Sequence, residues 1–148
     1  MTNPQTCCSK VRKYITDKNL EIVEKYGCCA FVLLWCLGIE PDDLQAIELI
    51  CKMIDIKAID EKHRVVWAPA IKFLTGREVT VEFKEDIKDI LWIKDRTPVR
   101  YEYKGREHWV GVERGMIAFN PLEYSQCVDK GRPMGARLIK LKIDYWRR

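Results

Sequence analysis

Histidine is scarce in this chain of 148 residues. Only His63 and His108 occur, so any chemistry that needs an imidazole rests on one of two positions. No run reaches the roughly 18 to 20 uncharged apolar residues of a membrane helix. The longest, Cys28 to Leu37, has ten and stops at Gly38. Met1 to Asn19 is polar and lacks the apolar core of a secretory leader, and no helical pattern sets an apolar face against a lysine- or arginine-rich one. The expectation is a soluble, cytoplasmic protein with no membrane partner. Repeats, low-complexity tracts and linkers are missing too, so residues 1–148 are expected to form one domain.

Cysteine is not scarce, but its arrangement excludes the usual uses. Seven is an odd number, and the spacing fits no disulfide framework of a small secreted domain. The pairs Cys7-Cys8 and Cys28-Cys29 are adjacent instead of separated as C-x-x-C, and adjacent thiols rarely reach one metal. Cys36 and Cys51 lie inside apolar helical patterns, where a free cysteine packs as a small hydrophobe. No metal and no cofactor is expected.

Apolar residues make up 47% and charged residues 32% of the chain, an ordinary globular balance. The net charge of +4 is concentrated in Lys130 to Arg148, which alone carries +6. Such a terminus, with Tyr145 and Trp146, could be a nucleic-acid footprint. It alternates, however, with Ile139, Leu141, Ile143 and Tyr145 against Lys140, Lys142 and Asp144. That pattern predicts the solvated outer face of an edge or terminal strand, and a nucleic-acid partner is not expected.

The period of the apolar residues divides the chain in two. Helices are predicted over Lys18 to Lys25 and over the all-apolar run from Cys28 to Leu37, closed by Gly38 and Pro41. Another is predicted from Asp42-Asp43 to about Ile54, with Leu44, Ile47, Leu49, Ile50 and Ile54 as its stripe, and a further one over Pro69 to Thr75, ended by Gly76. Asp60 to His63 reads as a loop. From Glu78 onward the period is two. Strands are predicted at Val79 to Phe83, Pro98 to Tyr103, His108 to Glu113, Met116 to Phe119 and Leu138 to Tyr145, with hairpins at Lys104-Gly105-Arg106 and Arg114-Gly115. Helices followed by antiparallel strands make an α+β domain, with the helices on one face of the sheet.

Three local features could combine into a site. Cys28 heads the buried helix directly after Gly27, where the positive end of the macrodipole favours thiolate, although a cysteine in such a helix can equally be packing. His108 opens the strand His108-Trp109-Val110-Gly111-Val112, whereas His63 sits in the charged stretch Glu61 to Arg64 and reads as a solvated loop residue. Asn120-Pro121 closes the next strand. Asn120 falls within one residue of facing His108 and could fix its tautomer, or it could simply start a turn.

This order, Gly-Cys heading an apolar helix, then His-Trp-Val-Gly-Val, a glycine turn and Asn-Pro, resembles the papain-like cysteine peptidases. The closest branch is the minimal one of bacteriocin-processing, double-glycine leader peptidases and uncharacterised relatives. The resemblance covers about Tyr26 to Pro121. It implies a papain-like α+β fold, Cys28 as nucleophile, His108 as base and acid, Asn120 as orienting residue and a peptide or protein as substrate. The family's usual glutamine a few residues before the cysteine is missing from Glu21 to Gly27, and Gln5 lies far upstream. The oxyanion hole would then combine the Cys28 backbone N–H with a donor such as Tyr26. Cys29 stands where the family has Gly or Ala, which leaves either thiol to face the cleft. An inactive binding or regulatory module on the same scaffold is the alternative.

Overall fold

The computed structural model describes residues 1–12, 15 and 17–141. Among them the helices are α1 (Pro4–Val11), α2 (Leu20–Tyr26), α3 (Cys28–Cys36), α4 (Asp43–Asp55), α5 (Trp67–Thr75) and α6 (Gln126–Lys130). The strands are β1 (Val79–Glu85), β2 (Thr97–Tyr103), β3 (Arg106–Glu113), β4 (Met116–Phe119) and β5 (Arg132–Leu141). They form one antiparallel sheet in the order β1-β5-β2-β3-β4. The fold is α+β, and no helix among the described residues is long and apolar enough to cross a membrane.

α3 is the axis of the helical layer. Phe31, Val32, Leu33 and Leu34 are fully buried, as an all-apolar surface demands. Its end is set by Gly38, left-handed at φ 73°, with the N–H of Gly38 on the Trp35 carbonyl and that of Ile39 on the Leu34 carbonyl. α4 starts with a capping box, in which the Asp42 carboxylate accepts from the Gln45 N–H and the Gln45 amide accepts from the Asp42 N–H. Its buried face is Ala46, Ile47, Ile50, Cys51 and Met53, while the expected stripe residue Leu44 is exposed.

Trp35 fastens α3 to the sheet. A Cβ on Gly111 would lie 2.4 Å from its ring, and Phe119 stacks on it with centroids 5.9 Å apart. Arg96 covers another side of the ring at 4.4 Å and donates to the Trp35 carbonyl at 2.8 Å. The glycine in the His-Trp-Val-Gly-Val strand is thus the floor on which an indole lies.

Two expectations about the sheet need correction. β5, read as an edge or terminal strand over Leu138 to Tyr145, is the last strand among the described residues but not an edge: it begins at Arg132 and pairs with β1 on one side and β2 on the other. A terminal strand can return to the middle of an antiparallel sheet, and alternation does not distinguish the two places. The outer alternation through Ile143 and Tyr145 lies outside the described residues. The helices are also not confined to one face. Val99, Tyr101, Val110, Val112 and Ala136 form a second core with Ile93 and Cys127, so α6 and the segment before β2 cover the far side. Both hairpins have two-residue turns in which both residues take positive φ, Lys104-Gly105 and Arg114-Gly115.

Candidate active site

His108 is the first inward-facing residue of β3 and is 4% exposed. Its Nε2–H donates to Asn120 Oδ1 at 2.7 Å. The same oxygen accepts the Leu122 N–H at 3.0 Å, which identifies it as the amide oxygen and makes Nε2 the protonated nitrogen. Nδ1 is therefore the basic nitrogen, and among the described residues nothing hydrogen-bonds it.

The contact depends on a β-bulge. Glu113 pairs with Met116 and Val112 with Ile117, but Gly111 then pairs with Phe119. The skipped residue, Ala118, shifts the register by one. Continued, the shifted register sets Asn120 opposite Val110, two residues from facing His108 where the sequence predicted at most one, but on the face that also carries His108. Unshifted, it would face Trp109 and point to the other side.

Cys28 opens α3 and is half-buried, whereas Cys29 is buried. Both border a cleft of about 1350 Å³ between the helical layer and the sheet. Cys28 is the more accessible of the two thiols. The backbone N–H groups of Trp109, next in the chain to His108, and of Cys29 and Cys28 itself favour the ionised form of the Cys28 thiol. α3 thus brings the thiol against the backbone of the histidine strand, whereas the side chains of His108 and Asn120 do not line the cleft and lie on the strand face of Val110 and Val112, toward the second core. Gly27 permits the entry, since a Cβ there would meet the Val23 carbonyl oxygen at 2.4 Å and the Phe31 ring at 3.1 Å.

The electrostatics differ from the expected thiolate. Burial pushes the Cys28 thiol up to about 11, more strongly than the three N–H groups pull it down. α2 runs into α3 through Gly27, which keeps helical dihedrals, so the dipole end is not a free one. Burial also lowers the His108 pKa, and the Asn120 hydrogen bond opposes that shift. At neutral pH the resting pair is a neutral thiol and a neutral imidazole.

Tyr26 lies at the cleft rim, half exposed, with its ring stacked on His63 at 4.5 Å. His63 is accordingly a half-buried stacking residue with φ 63°, not a solvated loop residue. Sequence distance misled for Gln5. Its side chain is buried, and Nε2 donates to the Glu24 carbonyl at 2.9 Å, one helical turn before Cys28, while Oε1 has no partner. α1 is brought there by its first turn, where the N–H groups of Gln5 and Thr6 reach the Pro121 carbonyl at 2.9 and 3.4 Å. Asn3 adds bonds to the carbonyls of Asn120 and Leu122. A polar glutamine directly after the proline that opens a helix was the available signal. No family model, curated protein or solved structure matches the chain, so the candidate site stands on its own geometry.

Proposed function

We propose that this chain is a papain-like cysteine peptidase or amidase that cleaves a peptide or isopeptide bond with Cys28, His108 and Asn120. One observation carries the reading: Asn120 holds His108 with Nδ1 unprotonated, on the strand whose next N–H is close enough to the Cys28 thiol to favour its ionised form. Because the resting pair is neutral, His108 Nδ1 takes the thiol proton as sulfur attacks the substrate carbonyl. N–H groups at the start of α3 hold the oxyanion, and Gln5, with one amide N–H beyond the one given to Glu24, is the second donor. The imidazolium then protonates the departing amine. Water, with its proton accepted by His108, hydrolyses the thioester and restores the thiol.

A non-catalytic binding module is the competing reading, and the raised thiol pKa favours it. A library of fluorogenic peptide amides separates the two. Release by the wild-type chain that vanishes in Cys28→Ala and in His108→Ala supports the peptidase; release no greater than that of Cys28→Ala removes it.

A further inference from the structure

The cleft wall opposite Cys28 contains an unusual arginine. Arg137 sits on β5, in the interior of the sheet, and is 9% exposed. Its guanidinium lies 3.9 Å from the Phe83 ring and 5.2 Å from the Trp109 ring, and it borders the cleft. Nη1 serves Glu85 at 2.9 Å and the Ala136 carbonyl at 3.2 Å. Nε is buried without a partner, and Nη2 has none among the described residues. A buried cation with three of its five donors unused is costly where an apolar side chain would pack, so stability does not explain it.

Its surroundings indicate the missing ligand. Glu85 places one carboxylate oxygen on Arg137 and the other on Arg100, at 3.0 Å. The two guanidiniums are therefore already spaced for a planar carboxylate, and Glu85 is half exposed at the end of the edge strand β1. Arg106, exposed at the cleft, has no ion pair among the described residues. The cleft is lined by Lys25, Lys62, Arg64, Arg100, Arg106 and Arg137 against two carboxylates, Asp60 and Glu107, although Lys25 also pairs with Glu21 and Arg100 and Arg137 with Glu85.

We propose that Arg137 and Arg100, with Arg106, bind a carboxylate of the substrate, making the Cys28 cleft selective for acidic peptides. The carboxylate shares or displaces Glu85 and takes the unused donors of Arg137, as arginine forks commonly do. The proposal rests on the reading of this cleft as the peptide site, and its test keeps the two apart.

Iodoacetate and iodoacetamide displace iodide through the same thiolate and differ in charge, so the ratio of their rates at Cys28 cancels the thiolate fraction. Glutathione provides the reference ratio, and peptide mass mapping locates the label. At low salt the Cys28 ratio is expected to exceed that of glutathione roughly tenfold, and to approach it at about 0.5 M salt. Arg137→Gln and Arg106→Gln should each lower the ratio several-fold while the iodoacetamide rate is kept. Arg106, being exposed, keeps the test valid should Arg137→Gln not fold. A ratio equal to that of glutathione, or one unmoved by either substitution, overturns the proposal. If Cys28 resists both reagents the peptidase reading fails, and charge selectivity is read from the anisotropy of fluorescein-labelled hexaglutamate against hexaglutamine. Preference for hexaglutamate that is lost in Arg106→Gln sustains the arginine site. Equal binding of the two peptides, or tighter binding of a short oligothymidine, overturns it.

Discussion

Asn120 meets His108 because β4 skips one residue. The bulge at Ala118 turns the Asn120 amide to the histidine's side of the sheet, and its oxygen takes both the imidazole Nε2–H and the Leu122 N–H. Orientation of the base and closure of the Asn-Pro turn therefore depend on one atom.

Asn120→Ala should accordingly damage two functions together. Leaving a buried imidazole N–H and the Leu122 N–H unpaired is expected to cost about 1–3 kcal/mol in urea denaturation. Nitrogen NMR of His108 should report a mixture of tautomers where the native protein has one. A single unchanged tautomer would show that something else orients the ring.

The two adjacent thiols should separate cleanly. Cys28→Ala is expected to abolish iodoacetamide labelling at the cleft and any hydrolysis, with the circular dichroism spectrum kept. Cys29→Ala removes a buried contact and should lower stability by roughly 1 kcal/mol while leaving cleft labelling in place. The reverse pattern would transfer the nucleophile to Cys29.

Stability should peak between the two titrations. The His108 pKa is lowered in the fold, so its contribution is present above the unfolded value, about 6.5, and is lost as pH falls through the lower folded value. The Cys28 pKa is raised from 9.0 to about 11, so its contribution is present below 9.0 and is lost as pH rises toward about 11. Buried Cys29 adds to the alkaline loss in the same sense. Denaturation midpoints measured across pH should therefore fall on both sides of neutrality, and the rate of Cys28 alkylation should keep climbing well above pH 9. A plateau of alkylation near neutral pH would mean that His108 holds a thiolate after all.

Gly111→Ala should be among the most damaging single-methyl additions. The new Cβ would fall 2.4 Å from the Trp35 ring, and the indole is held by Phe119 and Arg96. Overpacking of this kind costs about 1–3 kcal/mol, read as a lower melting temperature and blue-shifted or broadened tryptophan emission. An unchanged melting temperature would show that α3 can lift from the sheet without penalty.

Gln5 offers a graded test of the oxyanion site. If its free amide N–H serves there, Gln5→Ala should lower kcat by roughly 10²-fold with KM little changed. Loss of KM alone would give Gln5 only the structural bond to Glu24.

The helices α2 to α5 and the strands β1 to β4 were legible in the sequence because their apolar periods of 3.6 and two reflect what each element must bury, whereas β5 was read only from Leu138 on and its first residues, Arg132 to Arg137, were missed. So were the cap at Gly38, the two hairpins and the pairing of His108 with Asn120, since glycine turns and residue types in order are local signals. α1 and α6 were not, being short, weakly patterned and held by contacts with the distant Pro121 and with β2. Nor could the sequence place β5 inside the sheet, because alternation does not encode which strands flank it. Four decisions belong to the tertiary structure alone: the bulge that turns Asn120 toward His108, the burial that raises the Cys28 thiol, the approach of Gln5 to Glu24, and the meeting of Arg100 with Arg137. Each joins residues far apart in the chain through register or burial, quantities that no window along a sequence contains.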